Sequence, residues 1–468
     1  MTTEQRRITL GICLIVGLSL LMATGLTFLI EPMARDLNIS DEVVEDILTI
    51  PSVAALLAVF LAGQLGDRFG HRRVIGLSGV VFSVGAIAIA VAAETTLIQV
   101  GFAVCAASAI TMQIVGVGLL QHATGKSSAQ TSAFTTYGMV FPLAFLALPV
   151  ATAGILQSAH WRIIPAIWIA GGLLIFALAY LLLSGGTANA TGATWVTPVM
   201  AGIALAAIAR ALAEIAHFEV DPKPVIVGLV VSAGMSVVIF AGLHESIQLR
   251  SFVSAIGDRE MRVLLVCVAL VSLVGLITFV SIALEFLYNM TSYEAALAII
   301  PAQVGAVFGA KLLASRVIRK FGGFRAARYL MLVLALSMLP LVTVRSDTSV
   351  WYLVFIATLF SFSGMAALTV LNAEVMRRSP SESTGSVSAF RTAASSLGGA
   401  IGAGVLGAIV ISSVRIDEDL GSVTQSQLVD LANSLRIDGL LSFLIAIFGW
   451  GLLSFHQHRV QRISNPQR

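Results

Sequence analysis

The chain has 468 residues, of which 57% are hydrophobic and only 11% charged, with 41 glycines and a net charge of +3; its mean hydropathy is +0.94. That profile excludes a water-soluble enzyme and defines a polytopic membrane protein. No segment supplies the basic face that nucleic-acid binding needs. Cys13, Cys105 and Cys267 sit inside apolar runs without paired spacing, so neither a disulfide framework nor a thiolate metal site is indicated.

Stretches of about twenty apolar residues, long enough to cross the hydrocarbon core as helices, recur along the whole chain. About fourteen are predicted: 8–30, 43–63, 74–93, 97–120, 131–156, 163–184, 194–214, 224–243, 261–288, 294–315, 326–344, 350–373, 384–413 and 437–456. Arg6 and Arg7 precede the first run, which exceeds a signal-peptide core and lacks a small-x-small exit; it reads as span 1. An inside N-terminus places roughly nineteen Lys and Arg on the cytoplasmic side and about six outside. Both termini are then cytoplasmic, and Asp36, Asp41, Glu42, Glu45 and Asp46 lie outside.

Taken in chain order, span 1 ends at Glu31 beside Pro32, an acid at the outer interface or mouth of a pathway. Between spans 2 and 3, GQLGDRFGHRR (Gly63 to Arg73) packs Asp67, Arg68, Arg72, Arg73 and His71 among Gly63, Gly66 and Gly70. Glycine allows a sharp turn there, and an acid can pair with a positive helix N-terminus; Asp67 is either such a partner or a solvated acid balanced by its Arg neighbours. Span 5 carries Pro149 and the stripe Phe134, Tyr137, Phe141 and Phe145, either helix packing or a ligand wall. Arg210 and Glu214 on span 7 form an i, i+4 pair.

In the second half, Glu285 in span 9 is a proton-site candidate or an outer-interface acid. Lys311 in span 10 and Arg391 in span 13 either snorkel to the headgroups or line a cavity. TQSQLVDLANSL, within 414–436, is predicted to form a short outer surface helix.

The first loop has a degraded copy. SRVIRKFGGFR (Ser315 to Arg325) aligns without a gap to Gly63 to Arg73, pairing Phe69-Gly70 with Phe321-Gly322 and Arg73 with Arg325, while Arg319 replaces Asp67. Domain limits of 1–186 for an N-terminal six-helix bundle, 187–250 for a peripheral inserted pair and 251–468 for a C-terminal six-helix bundle follow. No phosphate-binding G-x-x-x-x-G-K-[ST] is present, and no cofactor fingerprint or catalytic constellation.

These features together resemble the major facilitator superfamily, specifically its fourteen-helix drug:proton antiporter branch. The resemblance rests on Gly63 to Arg73, on Pro149 followed by Trp161-Arg162, on TSYEAALAIIP (Thr291 to Pro301) and on SLGGAIGAGVLGAI (Ser396 to Ile409). It implies an all-α fold of two six-helix bundles plus two inserted helices. It implies secondary active export of hydrophobic or amphiphilic small molecules, in exchange for protons, from the cytoplasmic membrane, with substrate, proton and membrane lipid as partners and no cofactor. It also implies that Asp67 latches onto the start of span 13, near Glu382 to Gly385. Ala23 and Gly101 stand where that branch carries a membrane Asp and an Arg; Leu148, Thr152 and Ala153 stand where it has glycines, and Ser395 where it has Arg. A gradient-independent facilitator or flippase, and a non-transporting sensor or scaffold, stay open.

Overall fold

The computed structural model describes residues 1–39, 41–125, 127–184, 196–214, 222–242, 258–275, 280, 283–284, 287–288, 290, 292–380, 383–411 and 425–464. Among them the only regular structure is helical. Among the described residues each predicted span contains helix, and ten helical stretches are by themselves long and apolar enough to cross a membrane. The chain divides into two compact units: Met1–Ile208 with Gly228–Ala255 and Met376–Ala393, and Ala209–Val227 with Ile256–Val375 and Ala394–Arg468.

In unit 1, α1 (Thr3–Ser19) starts with a reciprocal cap between Thr2 and Gln5. The helix α2 (Leu21–Leu37) corrects the expected end of span 1: it runs through Pro32 and stops at Asn38, whose φ is 50°. The buried stripe Met22, Leu26, Leu29 and Met33 holds it together past the proline. Then come α3 (Asp41–Phe69), α4 (His71–Val91), α5 (Thr95–Thr124), α6 (Ser128–Tyr137), α7 (Val140–Leu156) and α8 (Ile163–Leu182). The α4–α8 crossing is close because of paired glycines: a Cβ on Gly79 would lie 2.7 Å from the Gly172 carbonyl oxygen. The first helix of the expected insertion, α9 (Val196–Glu214), meets α3 with equal intimacy, since a Cβ on Gly202 would lie 2.3 Å from the Leu57 carbonyl oxygen. It is followed by α10 (Pro222–Gly242).

Unit 2 contains α11 (Arg259–Leu273), α12 (Ser292–Ala298), α13 (Ile300–Phe308), α14 (Ala314–Phe321), α15 (Gly323–Met338) and α16 (Val350–Arg377). A π-helical turn, Gly309–Leu313, joins α13 to α14. The helix α17 (Thr384–Ile411) starts in unit 1 and ends in unit 2. The last helix, α18 (Gln425–Ser464), takes in the residues expected to form a separate surface helix, from Gln425 onward. Nothing breaks the chain before residue 437, and Leu431, Leu435, Asp438, Ser442 and Ala446 form one continuous buried stripe.

The repeat is visible in backbone geometry. Gly70, between α3 and α4, has φ 87° and ψ 130°; Gly322, between α14 and α15, has φ 77° and ψ 163°. Both are single-residue joints in a conformation that a side chain disfavours.

Candidate functional site

What reads as a loop is almost entirely helix. Gly63 to Phe69 form the last turns of α3 and His71 to Arg73 the first turn of α4, with Gly70 alone between them. This folds Asp67 back against the start of α17, where its side chain is only 8% exposed. The Gly385 N–H donates to Oδ1 at 2.9 Å, the Ser386 N–H to Oδ2 at 3.0 Å and the Ser386 hydroxyl to Oδ2 at 2.9 Å. Those amides belong to the first turn of α17, which has no helical acceptor for them, so Asp67 caps that helix from a distant part of the chain. Its charge opposes the positive end of the helix.

Close backbone approach makes the contact possible. A Cβ on Gly63 would stand 2.7 Å from the Gly385 carbonyl oxygen, and one on Gly118 of α5 would stand 3.3 Å from the Gly385 Cα. Phe60 and Phe390 pack at a tilt beside the glycines, with ring centroids 4.6 Å apart and planes 58° apart. His71 is buried too: its Nε2 lies 3.8 Å from Asp67 Oδ1 and 3.5 Å from Thr384 Oγ1, and its ring lies 6.5 Å from that of His122. The neighbouring guanidinium groups go elsewhere. Arg68 lies over Phe69, Arg72 donates to the Tyr180 carbonyl at 2.8 Å, and Arg73 is exposed.

A second cluster closes the other end of unit 1. Asp36, at the end of α2, accepts from Trp161 Nε1 at 2.8 Å and from Arg162 Nη1 at 3.0 Å, while Arg162 Nη2 donates to the Ala92 carbonyl at 3.0 Å. The Trp161 hydrogen bond, followed by the nearby charge of Arg162, holds the Asp36 carboxyl below its ordinary range. Trp161-Arg162 thus ties the ends of α2 and α4 to the start of α8.

The remaining sequence candidates disperse. Pro149 lies inside α7, and Glu31 lies in α2 beside Pro32. Lys311 falls within the π turn. Arg391 is 9% exposed, and its Nη2 donates to Thr392 Oγ1 at 3.2 Å. Glu285 and Glu382 lie outside the described residues. Ala23 is exposed, whereas Gly101 is closed in: a Cβ there would meet Ile89 Cγ1 at 2.6 Å and the Gly85 carbonyl oxygen at 2.8 Å. The helices α4 and α5 pack closely at this point.

Sequence reasoning missed two buried acids. Asp438 is 0% exposed; Ser442 Oγ donates to its Oδ1 at 3.3 Å, and Oδ2 has no partner among the described residues. Its i, i+4 spacing from Ser442 along an otherwise apolar stripe was the available signal. Glu374, near the end of α16, is 3% exposed and lies against Gly323, where a Cβ would be 2.0 Å from its Oε2.

Membrane-length helices, an internal repeat with paired glycine joints and a carboxylate-capped helix start define a polytopic helical transport protein. The chain belongs to the Major Facilitator Superfamily, whose family model matches residues 12–403; it is a transporter and not an enzyme. It is similar to the methyl viologen resistance protein SmvA of Salmonella typhimurium, 26% identical over 184 residues. That match covers 37% of this chain and 37% of the relative's length. Among solved structures it resembles the human organic anion transporter MFSD10 (TETRAN), with a TM-score of 0.65 at 15% identity over 95% of this chain and 100% of that one. It also resembles the proton:xylose symporter XylE, with a TM-score of 0.62 at 14% identity over 96% and 95%. A bacterial homologue of the iron transporter ferroportin gives 0.56 at 14% identity over 96% and 100%. At these identities the structural likeness establishes the fold.

Proposed function

We propose that this transporter exports hydrophobic or amphiphilic small molecules across the cytoplasmic membrane in exchange for protons, as a member of the fourteen-helix drug:proton antiporter branch. The observation that carries the reading is the Asp67 cap on α17. It joins segments more than 300 residues apart in sequence through three hydrogen bonds that can be made and released without covalent change. Reversible contacts of this kind are what alternating access requires. The latch comprises Gly63, Asp67, Arg68, Gly70, Arg72 and Arg73, working in a chain of two six-helix bundles (1–186 and 251–468) with an inserted pair at 187–250 and both termini cytoplasmic. The partial match to a methyl viologen resistance protein supports efflux as the direction.

Proton carriers in this reading are Glu285, Glu31 and Asp438. The last is a fully buried carboxyl whose Oδ2 has no hydrogen-bond partner among the described residues. A second reading, a gradient-independent facilitator or lipid flippase, is favoured by Gly101, where helix packing leaves no room for a coupling charge.

Flux in proteoliposomes under an imposed pH gradient separates the two. Export of an amphiphile that rises with the gradient and falls in Glu285→Gln or Asp438→Asn supports proton exchange. Flux indifferent to the gradient supports the facilitator, and absence of flux supports the sensor or scaffold.

A further inference from the structure

Arg391 is buried without a counter-ion among the described residues. Its guanidinium lies on α17 within unit 1, and it meets two neutral groups: the hydroxyl of Thr392, at 3.2 Å from Nη2, and the phenol of Tyr137, which hydrogen-bonds it from α6. Its Nε is buried with no partner, and no carboxylate among the described residues forms an ion pair with it. A guanidinium carries five donors in a planar fork, and two hydroxyls leave that fork short of acceptors. Burying such a cation unpaired is expensive.

The surroundings suit one kind of visitor. Phe390 precedes Arg391 and packs at a tilt against Phe60, and Phe141 packs edge-on against Tyr137 at 6.2 Å. The Tyr137 phenol beside the cation is free to donate to an anion, whereas the Thr392 hydroxyl donates to the Ser388 carbonyl at 3.0 Å and serves only as an acceptor for the guanidinium. The charge buried on this part of α17 is positive, and its planar fork matches a carboxylate or sulfonate taken bidentately.

We propose that Arg391, with Tyr137 and Thr392, is a head-group subsite for a monoanionic amphiphile. The proposal rests on the export reading and narrows it to anionic substrates. The anion fills the guanidinium fork, and the tail lies along Phe60, Phe390 and Phe141.

The test uses the full chain in phosphatidylcholine nanodiscs and three fluorescent probes of equal tail: 11-(dansylamino)undecanoate, its neutral methylamide and its trimethylammonium analogue. The carboxylate is expected to bind at least about tenfold tighter than the methylamide. Arg391→Gln brings the carboxylate down to the affinity of the methylamide while methylamide binding stays unchanged, and Tyr137→Phe produces a smaller loss of about threefold. Ligand-free Arg391→Met melts no lower than the parent protein, because an unpaired buried charge has been removed. Adding phosphatidylglycerol distinguishes two sources of the same chemistry: weakened carboxylate binding identifies a lipid head group as an occupant, and unchanged binding a free amphiphile. If the wild-type protein binds the methylamide or the cation as tightly as the carboxylate, or if Arg391→Gln keeps the preference, the subsite is overturned and export stands. If none of the three probes binds, both fall.

Discussion

The two copies of the repeated loop, Gly63 to Arg73 in unit 1 and Ser315 to Arg325 in unit 2, share a joint and differ in their acid. Gly70 and Gly322 take nearly the same positive φ between nearly continuous helices. In the first copy the acid is local: Asp67 sits one turn before the joint and caps α17. In the second, Arg319 fills that place, and the acid at the joint is Glu374, brought in from α16 against Gly323. Backbone geometry survived duplication because only glycine tolerates it. Charge did not survive in place, because any helix end that passes the joint can supply it.

Removing the acid that only one copy has should give the largest effect. Asp67→Asn deletes the charge behind three hydrogen bonds worth about 1.5–3 kcal/mol each when charge-assisted. Transport in proteoliposomes is expected to fall at least about tenfold, with faster amide exchange at Gly385 and Ser386, whereas Arg319→Ala costs less than about twofold. Equal losses would break the contrast.

Helix proximity is the next difference. Gly63→Ala places a methyl 2.7 Å from the Gly385 carbonyl oxygen, an overpacking of about 1–3 kcal/mol that lowers the melting temperature and transport together. The aligned Ser315→Gly should cost about 1 kcal/mol or less, through helix propensity alone. The shared joint should behave alike in both copies: Gly70→Ala and Gly322→Ala are each expected to cost about 1 kcal/mol in detergent melts. A large difference between them would show that the two joints are not equivalent.

The smallest effect belongs to the other end of unit 1. Asp36 has a depressed pKa, so its contribution is present above the ordinary carboxylate value of 3.8 and is lost as pH falls through the lower folded value. Melting of the wild-type protein from pH 7 down to pH ~3 should show that loss, and Asp36→Asn should flatten this part of the profile.

Much of this was legible in the sequence. Apolar runs located the helices, and the ungapped match between the loops located both glycine joints, since each depends only on local chemistry. The start of span 13 was readable as the target of Asp67, although the contact falls on Gly385 and Ser386. Other features depend on which surfaces meet. Pro32 marked an end that the buried face of α2 overrides, and Arg391 read as either a headgroup or a cavity cation, a choice that depends on Tyr137, more than 250 residues away, lying beside it. Gly101 read as a vacancy, but its neighbours Ile89 and Gly85 make it a closed contact. Asp438 was marked only by its i, i+4 spacing from Ser442 on an apolar stripe, and which face of a long helix is buried depends on its neighbours.

The π turn at Gly309–Leu313 carries one extra residue in the helical path, and Gly309 sets it hard against the Phe362 carbonyl, where a Cβ would be only 2.0 Å away. A turn of that kind is a reserve of rotation. Relaxing it to α geometry would swivel all that follows by about 100° per residue absorbed, turning the basic face of Arg316, Arg319 and Lys320 about its own axis. Each residue so absorbed would also lengthen the helical path by about 1.5 Å, so rotation and rise at this turn are coupled.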